Sequence, residues 1–329
     1  PREARAALDT AVNRCLAESQ VAPGASRFEH LANAAAYIRE RVGSGLPFMV
    51  PYIAAAFIPS MVAFVRLRRM AGSQNSQLVL EINRGLPENV TVEMDLALWE
   101  AAKAILNDAD SLRLFQETPA ASLARLALEG ALPPAAQAAV DRFLSRYGMR
   151  GFVEFDLGRP RWREDPTPVM HSLKSYLQIP PSQAPDALHA RGAQAAEAAI
   201  EQLAGILAAQ PRGHVKARKA RALARRMRLG LGLRESPKFF IIRVMGIARA
   251  ALLEIGAEFA QAGTIERPDD LFFFTLAELD QLAGQVERDW RALAAERRAA
   301  YAREQRRRQE PRVLVSDGRA FYEGVGAET

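Results

Sequence analysis

Arg234 and Lys238 stand four residues apart in Leu233-Arg234-Glu235-Ser236-Pro237-Lys238-Phe239, with Arg243 and Arg249 following. On a continuous helix that spacing puts both cations on one face. Two converging cations suit a phosphoryl acceptor site, because negative charge builds on the transferring oxygens. An ion pair with Glu235, Glu254 or a carboxylate of residues 147–166 is the structural alternative for each. Ser236-Pro237 reads as a helix N-cap followed by proline at the first helical position, which sets Arg234 just outside the helix.

A second concentration of charge is Tyr147–Pro166, YGMRGFVEFDLGRPRWREDP. Arg150, Arg159, Arg161 and Arg163 share it with Glu154, Asp156, Glu164 and Asp165, and Trp162 sits between two arginines. Its glycines and prolines break any regular helix. Phe152, Val153 and Phe155 are too apolar for a floppy linker. The stretch reads as an ordered, extended connector whose irregular backbone is fixed by Arg–carboxylate pairs. A surface loop with solvated charges is the other reading.

A third stretch, Leu46–Val65, carries no charge and is followed at once by Arg66, Arg68 and Arg69. Its length fits a membrane span, but Pro47, Pro51 and Pro59 argue for one or two broken helices in a soluble domain. Met49, Phe57 and Met61 are among its bulky side chains. Methionine suits surfaces that accommodate large, irregular ligands. Plain core packing and a pocket wall both fit.

Other chemistries lack their residues. There is no glycine-rich phosphate loop and no His/Asp/Glu cluster with metal-ligand spacing. The four histidines, 30, 171, 189 and 214, are scattered. The single cysteine, Cys15, rules out an internal disulfide and a multi-thiolate site. That usage fits a reducing, cytoplasmic setting. The net charge is +6, but much of the arginine lies in helices that also carry Glu and Asp, so nucleic-acid binding is disfavoured. The chain opens on Pro1 without an initiator methionine or signal peptide and reads as a piece of a longer protein.

The elements that must position these residues are mainly helices. At 329 residues and 49% hydrophobic the chain can bury a large core. Periodicity predicts helices over Arg2–Ser19, Arg27–Val42, Glu93–Leu106, Ser111–Phe115, Ala120–Glu129, Ala135–Arg146, Pro168–Tyr176 and Pro185–Ala209. Val215–Leu229 is strongly basic, a solvated face that could also help hold a neighbour's phosphates. Gly230-Leu231-Gly232 reads as a turn into a helix from Ser236 to about Ala262. Thr275 and Glu278 form a capping box for Leu276–Gln285. Val286–Arg307 reads as a long charge-rich helix, Val313–Val315 as a short strand, and 324–329 as a linker. The expectation is a mainly all-α, multi-helix domain over 1–323, with 1–146 and 147–323 as candidate subregions.

YG-x-RG-x-x-E-x-D-x-x-x-PRW-x-EDP, then Leu233–Phe239, then Pro268-Asp269-Asp270-Leu271-Phe272-Phe273 with Thr275, occur in this order. Together they resemble the middle domain of the phosphoenolpyruvate-synthase-like dikinases, most closely the rifampicin phosphotransferases. With the helices between them the resemblance covers nearly the whole chain. Met149 stands where many family members carry histidine.

The resemblance implies an acceptor-binding domain that holds a bulky, apolar antibiotic in the Leu46–Val65 groove. It implies Met49, Phe57, Met61, Arg234 and Lys238 as substrate-binding, with Arg150, Glu154, Asp156, Arg159 and Trp162 bracing the floor. It places ATP and Mg²⁺ in the full-length protein, with an ATP-grasp portion before this segment and a swivelling phosphohistidine domain after it. The reaction implied converts ATP, water and an acceptor hydroxyl into AMP, phosphate and phosphorylated acceptor. The segment alone would be inactive, without a metal, membrane or nucleic-acid partner. The same architecture with pyruvate or a pyrrole precursor as acceptor, as in the prodigiosin-forming ligases, is one alternative. A non-catalytic helical scaffold is another.

Overall fold

The structure, a computed structural model, describes residues 2–18, 24–43, 45–306 and 311–322, and side chains at 6–18, 24–43, 54–306 and 311–322. Ser19 and Arg307, expected to end helices, and 324–329, expected to be a linker, lie outside the described residues.

Among the described residues, fourteen α-helices run in order: α1 Arg2–Glu18, α2 Arg27–Tyr37, α3 Gly45–Ala71, α4 Ser76–Glu81, α5 Val90–Leu106, α6 Ala109–Glu117 and α7 Ala120–Leu128. There follow α8 Pro134–Tyr147, α9 Thr167–Tyr176, α10 Pro185–Ala208, α11 Gly213–Gly232, α12 Ser236–Gln261, α13 Leu276–Ala283 and α14 Trp290–Glu304. One antiparallel hairpin, β1 Val313–Leu314 with β2 Ala320–Phe321, joins them. The chain is thus mainly all-α.

The chain divides into two compact units, residues 1–23 with 36–250 and residues 24–35 with 251–329. Residues 146 and 147, where the sequence offers a subregion boundary, both lie in the first unit.

Apolar clusters among the described residues hold the first unit. One joins α5 to α9 around Trp99, Ile105, Phe115, Leu123, Phe143, Tyr147 and Met170. Another packs Ala63, Leu67 and Ala71 of α3 and Val79 of α4 against α10 and α11. The last sets Leu8, Val12 and Cys15 of α1 on Phe240, Val244 and Ile247 of α12. In the second unit Phe28 meets Phe259 edge-on at 5.4 Å, and Phe274 meets Trp290 at 5.3 Å.

Several local expectations are corrected. Leu46–Val65 lies in one unbroken helix, α3, in spite of its prolines. Pro47 falls in the first turn, where no N–H bond is missed. Pro51 and Pro59 each remove one rung, and packing along α11 keeps the helix whole. The glycines expected to turn the chain stay helical: Gly232 has φ −60°, ψ −42°. Their function is contact. A Cβ on Gly230 would lie 1.7 Å from Ser60 Oγ and 2.5 Å from the Ala56 carbonyl, and one on Gly232 1.8 Å from the Pro87 carbonyl.

Residues 233–235 tighten into a 3-10 turn, so Ser236 is itself helical (φ −61°, ψ −41°) and not an N-cap. The expected Val286–Arg307 helix starts only at Trp290, capped by the Asp289 side chain accepting from the Ala292 N–H. The Thr275–Glu278 capping box forms as read.

Candidate functional site

Tyr147–Pro166 is the scaffold of the site, and it is a run of turns, not an extended strand. The amides of Trp162 and Arg163 donate back to the carbonyls of Arg150 and Gly148 at 2.8 and 3.0 Å, folding the stretch on itself. Gly151 makes that possible, since a Cβ there would lie 2.6 Å from the Pro160 carbonyl.

The Arg–carboxylate pairs do fix it. Arg150 donates from Nε and one terminal nitrogen to both oxygens of Glu154, each at 3.0 Å. Arg249 of α12 holds Glu164 at 2.7 to 3.0 Å and the Leu157 carbonyl at 2.6 Å. Arg163 reaches the Gly246 carbonyl at 3.3 Å. Asp156 stands exposed, its carboxylate accepting from the Gly158 amide. Arg159 is half-buried. Trp162 stacks on Phe143 at 6.2 Å.

The tip between these braces is apolar and open: Phe152, Val153 and Phe155 are 74%, 64% and 56% exposed. Val153 adopts a left-handed φ of 50°. For a β-branched residue that conformation costs about 1–2 kcal/mol. The surrounding pairs hold it there.

Lys238, in the first turn of α12, closes the site. Its ammonium lies 2.9 Å from Glu154 Oε1 and 5.7 Å from the centre of the Phe155 ring. Glu154 is buried, which alone would raise its pKa. The bonds from Arg150 and Lys238 outweigh burial and hold it below the usual carboxylate range. Lys238 itself keeps 44% of its side chain in solvent. Arg234 is placed differently, 63% exposed and paired with its neighbour Glu235 at 3.0 Å. The two cations bond to different carboxylates.

On the face of α12 that carries Ser236, Phe239, Phe240 and Arg243, turned away from Lys238, a cleft of about 430 Å³ opens between α1, α8 and α12. Leu8, Val12 and Leu16 form one wall, and Met149, Phe239 and Phe240 another. Arg243, paired with Asp9, stands at its edge. Ser236 lines it too, buried, with a hydroxyl that makes no hydrogen bond. The size lies within the usual range of ligand pockets, and apolar walls with few polar groups are their usual make-up.

The apolar stretch Leu46–Val65 lies apart from this cleft. Phe57 and Met61 stand on the open face of α3, with Ile58, Val62 and Val65, and do not line this cleft. The Met49 side chain lies outside the described ones. The α1 residues were missed, because nothing in an alanine-rich amphipathic helix separates a cleft wall from a packing face.

Among the described residues, no three His, Cys, Asp or Glu side chains gather as a metal site would require. No helix among them is long and apolar enough to cross a membrane.

A mainly helical domain with a cation-rimmed apolar cleft, built on a braced turn segment, is the class these observations define. Comparison with known proteins supplies the family. The family described as "Rifampicin phosphotransferase fourth domain" matches residues 48–235. A rifampicin phosphotransferase of Streptomyces sviceus is 31% identical over 269 residues, covering 78% of this chain. That of Bacillus subtilis is 26% identical over 261 residues, covering 77%. The prodigiosin synthesizing transferase of Serratia marcescens is 36% identical over 69 residues, covering 21%. The chain belongs to the rifampicin phosphotransferase family. It spans 29% of the length of each of the two phosphotransferases.

Proposed function

We propose that this chain is the acceptor-binding portion of an ATP-dependent phosphotransferase and that the cleft between α1, α8 and α12 takes a bulky apolar hydroxyl compound of the rifamycin type. The observation that carries the reading is the make-up of that cleft: apolar walls, the unpartnered Ser236 hydroxyl, and Arg146 and Arg243 among its lining. In this reading the bulky acceptor extends beyond the cleft, so that its hydroxyl meets Lys238 on the other side of the first turn of α12. As its oxygen bonds to phosphorus and the N–P bond of the carrier phosphohistidine breaks, the hydroxyl proton passes to the freed imidazole, and Lys238 and Arg234 exchange their present carboxylates for the transferring oxygens. Cations placed where that charge develops are the usual protein contribution to phosphoryl transfer.

By the family resemblance, the reading assigns ATP, Mg²⁺ and the carrier histidine to portions of the polypeptide outside this segment. A cytoplasmic setting, suggested by the single cysteine, goes with it.

Two measurements test this. Rifampicin should quench the fluorescence of the isolated chain saturably, and Phe240→Asp in the cleft wall should remove that binding. In the full-length protein, Lys238→Met should lower kcat by about a hundredfold, the usual size of one lost charge-stabilising group, with rifampicin binding nearly unchanged. Unchanged turnover would remove Lys238 from the chemistry. The match to the prodigiosin synthesizing transferase favours a second reading, a pyrrole-type acceptor, and competition by bipyrroles in the same quenching assay separates the two.

A further inference from the structure

The first unit contains a second cleft, of about 590 Å³, that shares no lining residue with the cleft between α1, α8 and α12, although α5 contributes to both. It opens between residues 83–89, α5 and the α9–α10 junction. Leu86, Val92, Leu96 and Leu188 make its walls apolar. Asp95, Tyr176 and His189 are the titratable groups that line it.

Its rim is fixed in advance. Arg228 of α11, 6% exposed, donates to the carbonyls of Ile82, Arg84 and Gly85 at 2.6, 2.7 and 2.8 Å. Gly85 has φ +53° and lies so close to α10 that a Cβ would come within 2.3 Å of the Ala193 nitrogen. Asn89 accepts from the amides of Thr91 and Val92 and starts α5. A wall held this firmly needs no ordering when a ligand arrives.

Asp95 is the anomaly in it. The side chain is half-buried, and no hydrogen bond or ion pair satisfies its carboxylate among the described residues. Burial raises its pKa, and the more distant Arg150, already committed to Glu154, offsets this only in part. The Tyr176 phenol is raised as well, first by burial and then by the charge of Asp95, so both groups act on one space. A carboxylate desolvated without a donor costs free energy that a cation would recover.

We propose that this cleft binds a small protonated amine with an apolar body, its ammonium on Asp95 and its hydrocarbon along Leu86, Val92, Leu96 and Leu188. The Tyr176 ring offers an aromatic face to the same cation. An anion is repelled by Asp95, and a neutral molecule of the same shape leaves the carboxylate uncompensated. The inference stands apart from the acceptor reading, because it uses none of that cleft's residues.

Calorimetric titration of the whole chain at low salt with benzylamine, benzyl alcohol and benzoate tests it. Saturable binding of benzylamine alone is expected, weakened at least tenfold in Asp95→Asn. Equal binding of benzyl alcohol, unchanged affinity in Asp95→Asn, or no saturable benzylamine binding overturns the proposal. Should Asp95→Asn fail to fold by circular dichroism, Leu188→Trp decides. It fills the cleft from an exposed rim position, and benzylamine binding that survives it sinks the idea.

Discussion

Two nitrogens of the Arg249 guanidinium grip Glu164 and the third takes the Leu157 carbonyl, with only 5% of its side chain in water. Removing one partner of a buried pair strands the other, so Arg249→Met should cost about 2–4 kcal/mol in urea unfolding. A loss below about 0.5 kcal/mol would mean that the turn segment does not depend on this brace. Arginine–carboxylate bracing was legible because both charge types crowd Tyr147–Pro166. Which pairs form was not. Glu154 finds Arg150 nearby, but Glu164 finds its partner on α12, and no local pattern records that. Arg228 is a similar case. Within a basic run that otherwise reads as a solvated face, its burial against the carbonyls of residues 82–85 depends on tertiary packing alone.

At the scale of elements, α3 and α11 meet through atoms that are absent. Gly230→Ala puts a methyl into Ser60 and the Ala56 carbonyl and should cost about 1–3 kcal/mol by overpacking. Gly205, exposed within α10, has nothing within 4 Å of its missing Cβ. Gly205→Ala should therefore stabilise by about 0.5–1 kcal/mol, the usual helix preference. Thermal unfolding of the two variants gives opposite signs if the close approach is real, and the same sign if it is not. This pair also shows where sequence reading stops. Thr275 and Glu278 announce a helix start because the capping box is local. Gly230-Leu231-Gly232 looks like a turn because a glycine chosen for close approach and one chosen for backbone freedom are the same residue. Proline misleads likewise in α3, where packing overrides an interior break.

For the molecule as a whole, the mainly helical fold class followed from periodicity, whereas the division into units did not, since it cuts within α2 and α12. The second unit has its own acid limit. Arg297 bonded to Glu278, helped by the Thr275 cap, holds that carboxyl at about 2. A depressed pKa gives stability that is complete above the ordinary value near 4.5 and lost as pH falls towards 2. Trp290, packed on Phe274 in the same unit, reports it. In fluorotryptophan NMR, which resolves the three tryptophans, the Trp290 signal should hold to about pH 4.5 and change below it. Arg297→Met should move that change up towards the ordinary Glu range. An acid transition insensitive to Arg297→Met would show that the pair does not set the limit.

The 3-10 turn at Leu233–Glu235 has a mechanical side. Each residue advances about 120° and 2.0 Å there, against about 100° and 1.5 Å in an α-helix. Rewinding those three residues would screw α12 round by about 60° and draw it in by about 1.5 Å relative to α11. Lys238, one turn further on, rides on that thread, so a small change of pitch is enough to swing its ammonium off Glu154.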